Sequence, residues 1–229
     1  MAVVDHGVTL NVTTNVATYT TASFTPANND LLVAFVVITA TAAAGSMSDS
    51  LGGGWTQITT AVKASSADKL WCFIRNALSD GSALTVTMDV TGDAGTGCIL
   101  FVARVSGMTK TGSTAAKQSA IQSNQAASTT PAPVFGANVL TGNPTVGFVS
   151  NATNPATLTS PTGWTERTDI GHGTPTNGGE YVSRNSGFTG TTITWGSTSG
   201  SAFADISIEL DASAAGTQYT QTVTGGLTF

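Results

Sequence analysis

The feature that most constrains the fold of this chain is a pattern that occurs twice along it. Gly54-Trp55-Thr56 recurs as Gly163-Trp164-Thr165, and Arg75-Asn76 recurs as Arg184-Asn185, each 109 positions later. Downstream of these pairs, 85–88 is similar to 192–195, and upstream of them, 32–36 is similar to 145–149. Because the spacing between matched residues is nearly constant, the sequence predicts two similar halves in one chain.

The matched segments have the character of β-strands. Apolar and polar residues alternate in Leu84–Val90 and in Ala204–Leu210, so that Ile206, Ile208 and Leu210 share one side and the intervening Asp205, Ser207 and Glu209 the other. Leu31–Ile38 is apolar throughout, which is typical of a strand buried on both faces. Glycine-rich turns separate the runs. The predicted strands are 30–40, 54–61, 69–77, 83–91 and 97–106, then 144–151, 163–169, 179–185, 190–196 and 202–211.

Short strands with regular turns predict an all-β, jelly-roll-like sandwich, in which both halves contribute to one core. The sandwich is expected to span 1–212, with halves 1–108 and 134–212. The polar segment 109–133 is interpreted either as a long connection or as an outer edge strand.

The segment 213–229 is predicted to be a C-terminal arm. It begins with a small-residue hinge and then alternates towards an apolar end. An arm of this kind can pair with another chain, and a disordered tail is the alternative. The residues expected to contact a partner are Tyr219, Val223, Leu227 and Phe229.

Composition narrows the range of partners. Apolar residues make up 40% of the 229 residues, as in a folded protein, but charged residues only 9%, against roughly 25% in ordinary soluble domains. Threonine, with 41 residues, takes much of their place. A surface of hydroxyls and amides is typical of a protein that stays bound to another macromolecule, because few charged groups must lose their hydration on association. The net charge of −5 and the scattered basic residues argue against a nucleic-acid partner.

No targeting or membrane segment is predicted. Met1–His6 lacks the basic start of a secretory signal, and the longest strongly apolar run, Leu31–Ile38, is far shorter than the roughly 20 residues of a membrane helix. Synthesis in the cytosol is therefore expected, with no membrane partner.

The residues available for catalysis are few. The two histidines, His6 and His172, have no Gly-x-Ser-x-Gly motif to accompany them, and His172 is interpreted as an exposed loop residue. Glu166 and Glu180 could act as paired carboxylates, although Glu180 is expected to face solvent. The segment 89–93 could hold calcium, with a solvated turn as the favoured alternative. The sequence thus predicts neither an enzyme nor a cofactor.

Cys72 and Cys98 each lie inside an apolar run. Two buried, reduced thiols are the favoured interpretation, and a disulfide between neighbouring strands is the alternative. Without a matching set of histidines, a metal site is not expected.

The matched tryptophans, Trp55 and Trp164, have two interpretations. They are either core anchors at the start of equivalent strands, which equivalence favours, or aromatic platforms for a sugar ring or a protein partner. The matched Arg75 and Arg184 are each expected to pair with a buried carboxylate or to lie at an interface.

These segments together resemble a known family. "NNDLLVAFVVI", "GGGWTQIT", "LWCFIRNA", "ALTVTMDV" and "CILFVARVSG", followed by "PTVGFVS", "TGWTERT", "EYVSRNS", "TTITW" and "ISIELDA", resemble jelly-roll virion proteins of tailed bacteriophages. The resemblance covers residues 24–212. The ending "QTVTGGLTF" is similar to the start of strand repeats at the ends of some phage structural proteins.

The resemblance implies a virion component, and the simplest role is a capsid decoration (cement) protein. Such a protein binds the major capsid protein of the phage head without covalent chemistry, as a trimer or dimer, and lies on the head surface after synthesis in the host cytoplasm. The alternative is a carbohydrate-binding module of a tail fibre or receptor-binding protein, whose partner would be a host glycan.

Overall fold

The computed structural model describes residues 1–39, 44–63, 68–90, 95–155 and 157–212. Within these residues the chain is almost entirely β-structure, and the one helical element is a short 3₁₀ turn, Gly112–Ala115. The strands are β1 (Val3–Val12), β2 (Thr18–Thr20), β3 (Leu31–Thr39), β4 (Ser46–Asp49), β5 (Trp55–Val62), β6 (Lys69–Arg75), β7 (Val86–Asp89), β8 (Gly97–Ser106), β9 (Ala116–Gln125), β10 (Thr145–Asn151), β11 (Thr165–Gly173), β12 (Thr176–Arg184) and β13 (Phe203–Leu210).

The first half of the chain winds between two sheets. The first sheet has the antiparallel order β1-β8-β3-β6-β5, and an outer sheet has the order β2-β7-β4. The chain passes from the first sheet to the outer sheet and back three times, at β2, β4 and β7, which is a jelly-roll-like path. The predicted all-β, jelly-roll-like sandwich is thereby confirmed.

Four strands of the second half and β9, from the segment 109–133, form the second sheet, with the antiparallel order β9-β13-β10-β12-β11. Matched segments hold matched positions: β3 and β10 are central, and β5 and β11 lie at an edge. An outer layer of irregular extended segments covers this sheet, in which Phe135 N donates to Thr191 O at 2.8 Å and Gly196 N donates to Thr159 O at 2.7 Å.

The two five-stranded sheets pack face to face over a shared core. Apolar residues of both sheets meet there, including Phe35, Phe101, Phe148 and Tyr181. The Phe101 ring lies 5.6 Å from that of Phe148 and 5.3 Å from that of Tyr181, between centroids. Side chains of both five-stranded sheets therefore form one core.

The first sheet is covered on its other face as well. A second apolar cluster, which includes Trp71, Leu100 and Val102, fills the space beneath the outer sheet. All nine residues of β3 are consequently buried, as its uninterrupted apolar sequence predicts.

Several boundaries differ from the sequence-based expectation. No strand forms over 190–196; Thr192 makes only an isolated bridge with Val134, because this outer layer lacks the regular pairing of the β2-β7-β4 sheet. Strands β1, β2 and β4 were not predicted. Within 109–133 the chain forms β9, an edge strand of the second sheet. The predicted arm 213–229 lies outside the described residues. No helix in the described ranges is long and apolar enough to cross a membrane.

Replacement of Phe148 by alanine tests whether the shared core couples the two halves. Phe148 is completely buried and touches rings from the first sheet, so we expect a loss of about 3–5 kcal/mol in the free energy of unfolding. Guanidinium unfolding followed by tryptophan fluorescence and far-ultraviolet circular dichroism should give one coincident transition.

Val134→Ala is the matched control, because Val134 is 60% exposed and its truncation should change stability by no more than about 0.5 kcal/mol. Two separate transitions in Phe148→Ala, one for each half, would contradict a single shared core.

Candidate functional site

A group of polar side chains closes one end of the shared core. We call it the polar cluster: Thr39, Lys63, Asp68, Ser150 and Asn177. All five are buried, with Lys63 and Asp68 each 2% exposed and Asn177 completely enclosed. Full burial of a lysine is rare without partners, and Lys63 has two partners in this cluster, Asp68 and Asn177.

Strand periodicity explains why these polar groups point inward. Alternate residues of a strand face the same side of its sheet. Four members of the cluster lie two positions away from a residue that faces the shared core. These pairs are Thr39 and Val37, Lys63 and Ala61, Ser150 and Phe148, and Asn177 and Gly179.

The contacts within the polar cluster join the two sheets. Lys63 Nζ lies 2.5 Å from Asp68 Oδ2 and donates to Asn177 Oδ1 at 2.9 Å. Ser150 Oγ donates to the same Oδ1 at 3.0 Å, and Asn177 Nδ2 donates to Thr39 Oγ1 at 3.1 Å. Burial lowers the pKa of Lys63, and the Asp68 carboxylate opposes this shift.

Both histidines lie on strands at the seam between β1 and β11. His172, on β11, is 6% exposed, so the expectation of an exposed loop residue was wrong. Its Nδ1 is 2.8 Å from Asn11 Oδ1, and burial lowers its pKa. His6, on β1, has Nδ1 3.0 Å from the Tyr181 hydroxyl. These neighbours are an amide and a phenol rather than the carboxylate that a hydrolytic relay would need.

In the first half, the matched tryptophan donates a hydrogen bond to the carboxylate of a buried ion pair. Trp55 Nε1 donates to Asp49 Oδ2 at 3.0 Å, and Arg75 Nε donates to the same oxygen at 2.8 Å. The backbone N–H of Gly53 donates to Oδ1 of Asp49. Together these donors hold the pKa of Asp49 below its usual range, against the effect of burial. In this half the arginine pairs with a buried carboxylate.

In the second half, the corresponding residues line an open cleft. Leu158 lies 109 positions after Asp49, so Arg184 has no equivalent carboxylate and instead donates to the carbonyls of Ser186 and Gly187. The Trp164 ring packs edge-on against Phe188, with 5.6 Å between centroids. This aromatic cleft has a volume of about 400 Å³, and it is lined by Pro161, Thr162, Trp164, Arg184, Phe188, Thr192, Ile193, Thr194, Trp195 and Gly196.

The second sheet carries buried acids on the face away from the shared core. Glu180 is completely buried, so the expectation that it faces solvent was wrong. Its Oε2 accepts from Leu158 N at 2.8 Å. Burial, together with the nearby Glu166 and Asp169, raises the pKa of Glu180 to about 8. Burial also raises the pKa of Asp205 well above its usual value.

The remaining predicted site residues are not brought together. Cys72 and Cys98 are free, buried thiols, and they belong to the clusters on opposite faces of the first sheet. Within the described ranges no cluster of histidine, cysteine and carboxylate side chains suits a metal ion. Of the suggested calcium segment 89–93, only Asp89 and Val90 are described. Tyr219, Val223, Leu227 and Phe229 lie outside the described residues.

The polar cluster was missed in the sequence. Lys63 directly follows β5, and Asn177 is the second residue of β12. Each continues the inward-facing series of its strand by one step. The signal for the cluster in the sequence is a polar residue at the next inward-facing position of a strand. This signal can be interpreted only when the facing sheet is known.

Comparison with protein-family models gives no match to this chain. A search of curated proteins likewise gives no significant similarity.

The pKa of Glu180 predicts a specific pH dependence of stability. Its folded pKa of about 8 exceeds the ordinary value of 4.5, so the folded chain keeps a proton that the unfolded chain releases between these pH values. Stability from this group is therefore full below about pH 4.5 and is lost as the pH rises to 8. Glu180→Gln should remove the loss, which is about 1.4 kcal/mol for each pKa unit.

Thermal unfolding at pH 5 and pH 8 measures this effect. We expect Glu180→Gln to become more stable relative to the wild-type protein by a few kcal/mol between pH 5 and pH 8. The control is Asp80→Asn, which should follow the wild type, because Asp80 is exposed and its pKa is lowered by hydrogen bonds from Ser82, so it stays ionised at both pH values. Parallel profiles for Glu180→Gln and the wild type would show that Glu180 titrates normally.

Proposed function

We propose that this protein is a bacteriophage virion component, a decoration (cement) protein that binds the major capsid protein and stabilises the head. The observation that carries the proposal is the distribution of charge. Of the 20 charged residues within the described ranges, nine are buried: Asp30, Asp49, Lys63, Asp68, Arg75, Glu180, Asp205, Glu209 and Asp211. The exterior is therefore even poorer in charge than the composition indicates.

Such an exterior suits permanent association. Charged groups that are covered by a partner must lose their hydration, whereas hydroxyls and amides can exchange water for hydrogen bonds across an interface at smaller cost. Two rigid surfaces that together bury about 1,200–2,000 Å² form a stable contact without covalent chemistry.

The edge strand β9 is the best candidate for the contact surface. Exposed apolar side chains lie on it and beside it: Ile121, on β9, is 46% exposed, Val62 39% and Val134 60%. Val62 N donates to Ser123 Oγ, and Ala132 N donates to Gln122 Oε1, so the segments that contain Val62 and Val134 adjoin β9. An edge strand with apolar neighbours supports pairing with a second copy or with the capsid protein. We propose a trimer or dimer on this basis.

Binding to phage heads tests the proposal. Purified protein is added to heads of the phage that encodes it, after deletion of its gene, and bound protein is measured by sedimentation. We expect saturable binding, density across the head surface in electron micrographs, and a higher temperature of head disruption. Ile121→Asp should weaken binding at least tenfold, because it introduces a charge on the exposed side of β9.

Leu51→Asp is the matched control, because Leu51 is similarly exposed, at 44%, but lies in the turn between β4 and β5. The absence of head binding, or density only at the tail tip, would refute the decoration role.

Binding of a host glycan is a second candidate, and the aromatic cleft favours it. A half-buried tryptophan beside an arginine, in a cleft of about 400 Å³, can stack on a sugar ring and donate to its hydroxyls. Under this function Trp164→Ala should abolish binding to host polysaccharide in a glycan array. Trp55→Ala should not, provided that circular dichroism shows it folded, since Trp55 contacts Asp49 instead. Unchanged glycan binding in Trp164→Ala would exclude this cleft.

A further inference from the structure

The polar cluster combines the three groups needed to form an amide bond between side chains. Lys63 supplies an amine. Asn177 supplies a carboxamide whose Oδ1 lies 2.9 Å from Nζ of Lys63, and Asp68 supplies a carboxylate whose Oδ2 lies 2.5 Å from the same Nζ. All three are at least 98% buried, so competition from water is small. We propose that Lys63 and Asn177 form an intramolecular isopeptide bond, with Asp68 as the proton-transfer group.

Each partner has a defined role in the reaction. Burial lowers the pKa of Lys63, which favours the neutral amine that acts as a nucleophile. Asp68 lies where it can take the proton that Nζ loses on attack. Ser150 Oγ donates to Asn177 Oδ1 at 3.0 Å, and so stabilises the negative charge that develops on that oxygen.

The reaction balances without an external reagent. Nζ of Lys63 attacks Cγ of Asn177, and a new C–N bond forms. The bond from Cγ to Nδ2 then breaks, the proton taken by Asp68 passes to the leaving nitrogen, and ammonia departs. Thr39 Oγ1 accepts a hydrogen bond from Nδ2 at 3.1 Å and orients this leaving group. No group is oxidised or reduced, and no cofactor takes part.

The bond would join the two sheets covalently. Lys63 follows β5 of the first sheet, and Asn177 lies on β12 of the second, 114 positions along the chain. A cross-link that closes so long a loop restricts the unfolded chain strongly. This inference does not rest on the proposed function, because it concerns the isolated protein.

Mass spectrometry of the purified wild-type protein tests the inference. We expect an intact mass below that of the sequence by about 17 Da, the mass of one ammonia. Trypsin does not cleave after an acylated lysine, so digestion should yield residues 1–69 linked to residues 168–184, identified by fragmentation. A wild-type mass equal to that of the sequence, or separate peptides ending at Lys63 and containing unmodified Asn177, would overturn the proposal.

Variants separate this bond from other losses of ammonia. Asn177 precedes Gly178, and cyclisation of an Asn-Gly pair to a succinimide removes the same mass. Lys63→Arg, Asn177→Ala and Asp68→Asn should each restore the full mass, whereas Lys69→Arg, which alters a neighbouring lysine, should keep the loss. Retention of the loss in Lys63→Arg would assign it to the succinimide and overturn the proposal, even if Asn177→Ala failed to fold.

Discussion

The fold depends on the burial of one apolar face of each five-stranded sheet against the other. Phe35 and Phe101 come from the first sheet, and Phe148 and Tyr181 from the second, and their rings interlock at 5.3–5.6 Å between centroids. Neither sheet could expose this face to water without losing the main favourable contribution to folding. The two sheets therefore present complementary apolar faces to each other.

The same packing explains the chemistry at the end of the core. Facing sheets lie about 10 Å apart, which a lysine from one sheet can span to reach a short side chain on the other. Lys63 is held in position because its backbone N–H bonds the carbonyl of Asp68 at 3.0 Å, and this pairs the two residues across the end of the β5–β6 hairpin. The contact of Lys63 with Asn177 is thus a consequence of sheet spacing and hairpin geometry.

Local sequence patterns predicted the strands, but not the environment of their polar faces. The apolar run in β3 and the alternation in β13 gave correct strands, because periodicity is a local property. Glu180 and His172 were wrongly expected to be exposed, since the layers that cover them come from distant segments: Leu158 lies over Glu180, and Asn11 lies beside His172. The same limit concealed Lys63 and Asn177. It also explains why 190–196, whose neighbours in the outer layer are irregular segments, forms an isolated bridge instead of a strand.

Equal strand order does not give the two halves equal chemistry. In the first half, Asp49 holds Trp55 and Arg75 in a closed, charged contact. In the second half, Leu158 at the equivalent position holds no arginine, and Trp164 and Arg184 are left to line a cleft. The matched arginine is thus enclosed with a carboxylate in the first half, whereas in the second half it lies beside an aromatic cleft. Because buried ion pairs contribute little net stability compared with apolar packing, this difference is better explained by the surfaces the halves present than by the stability of the fold.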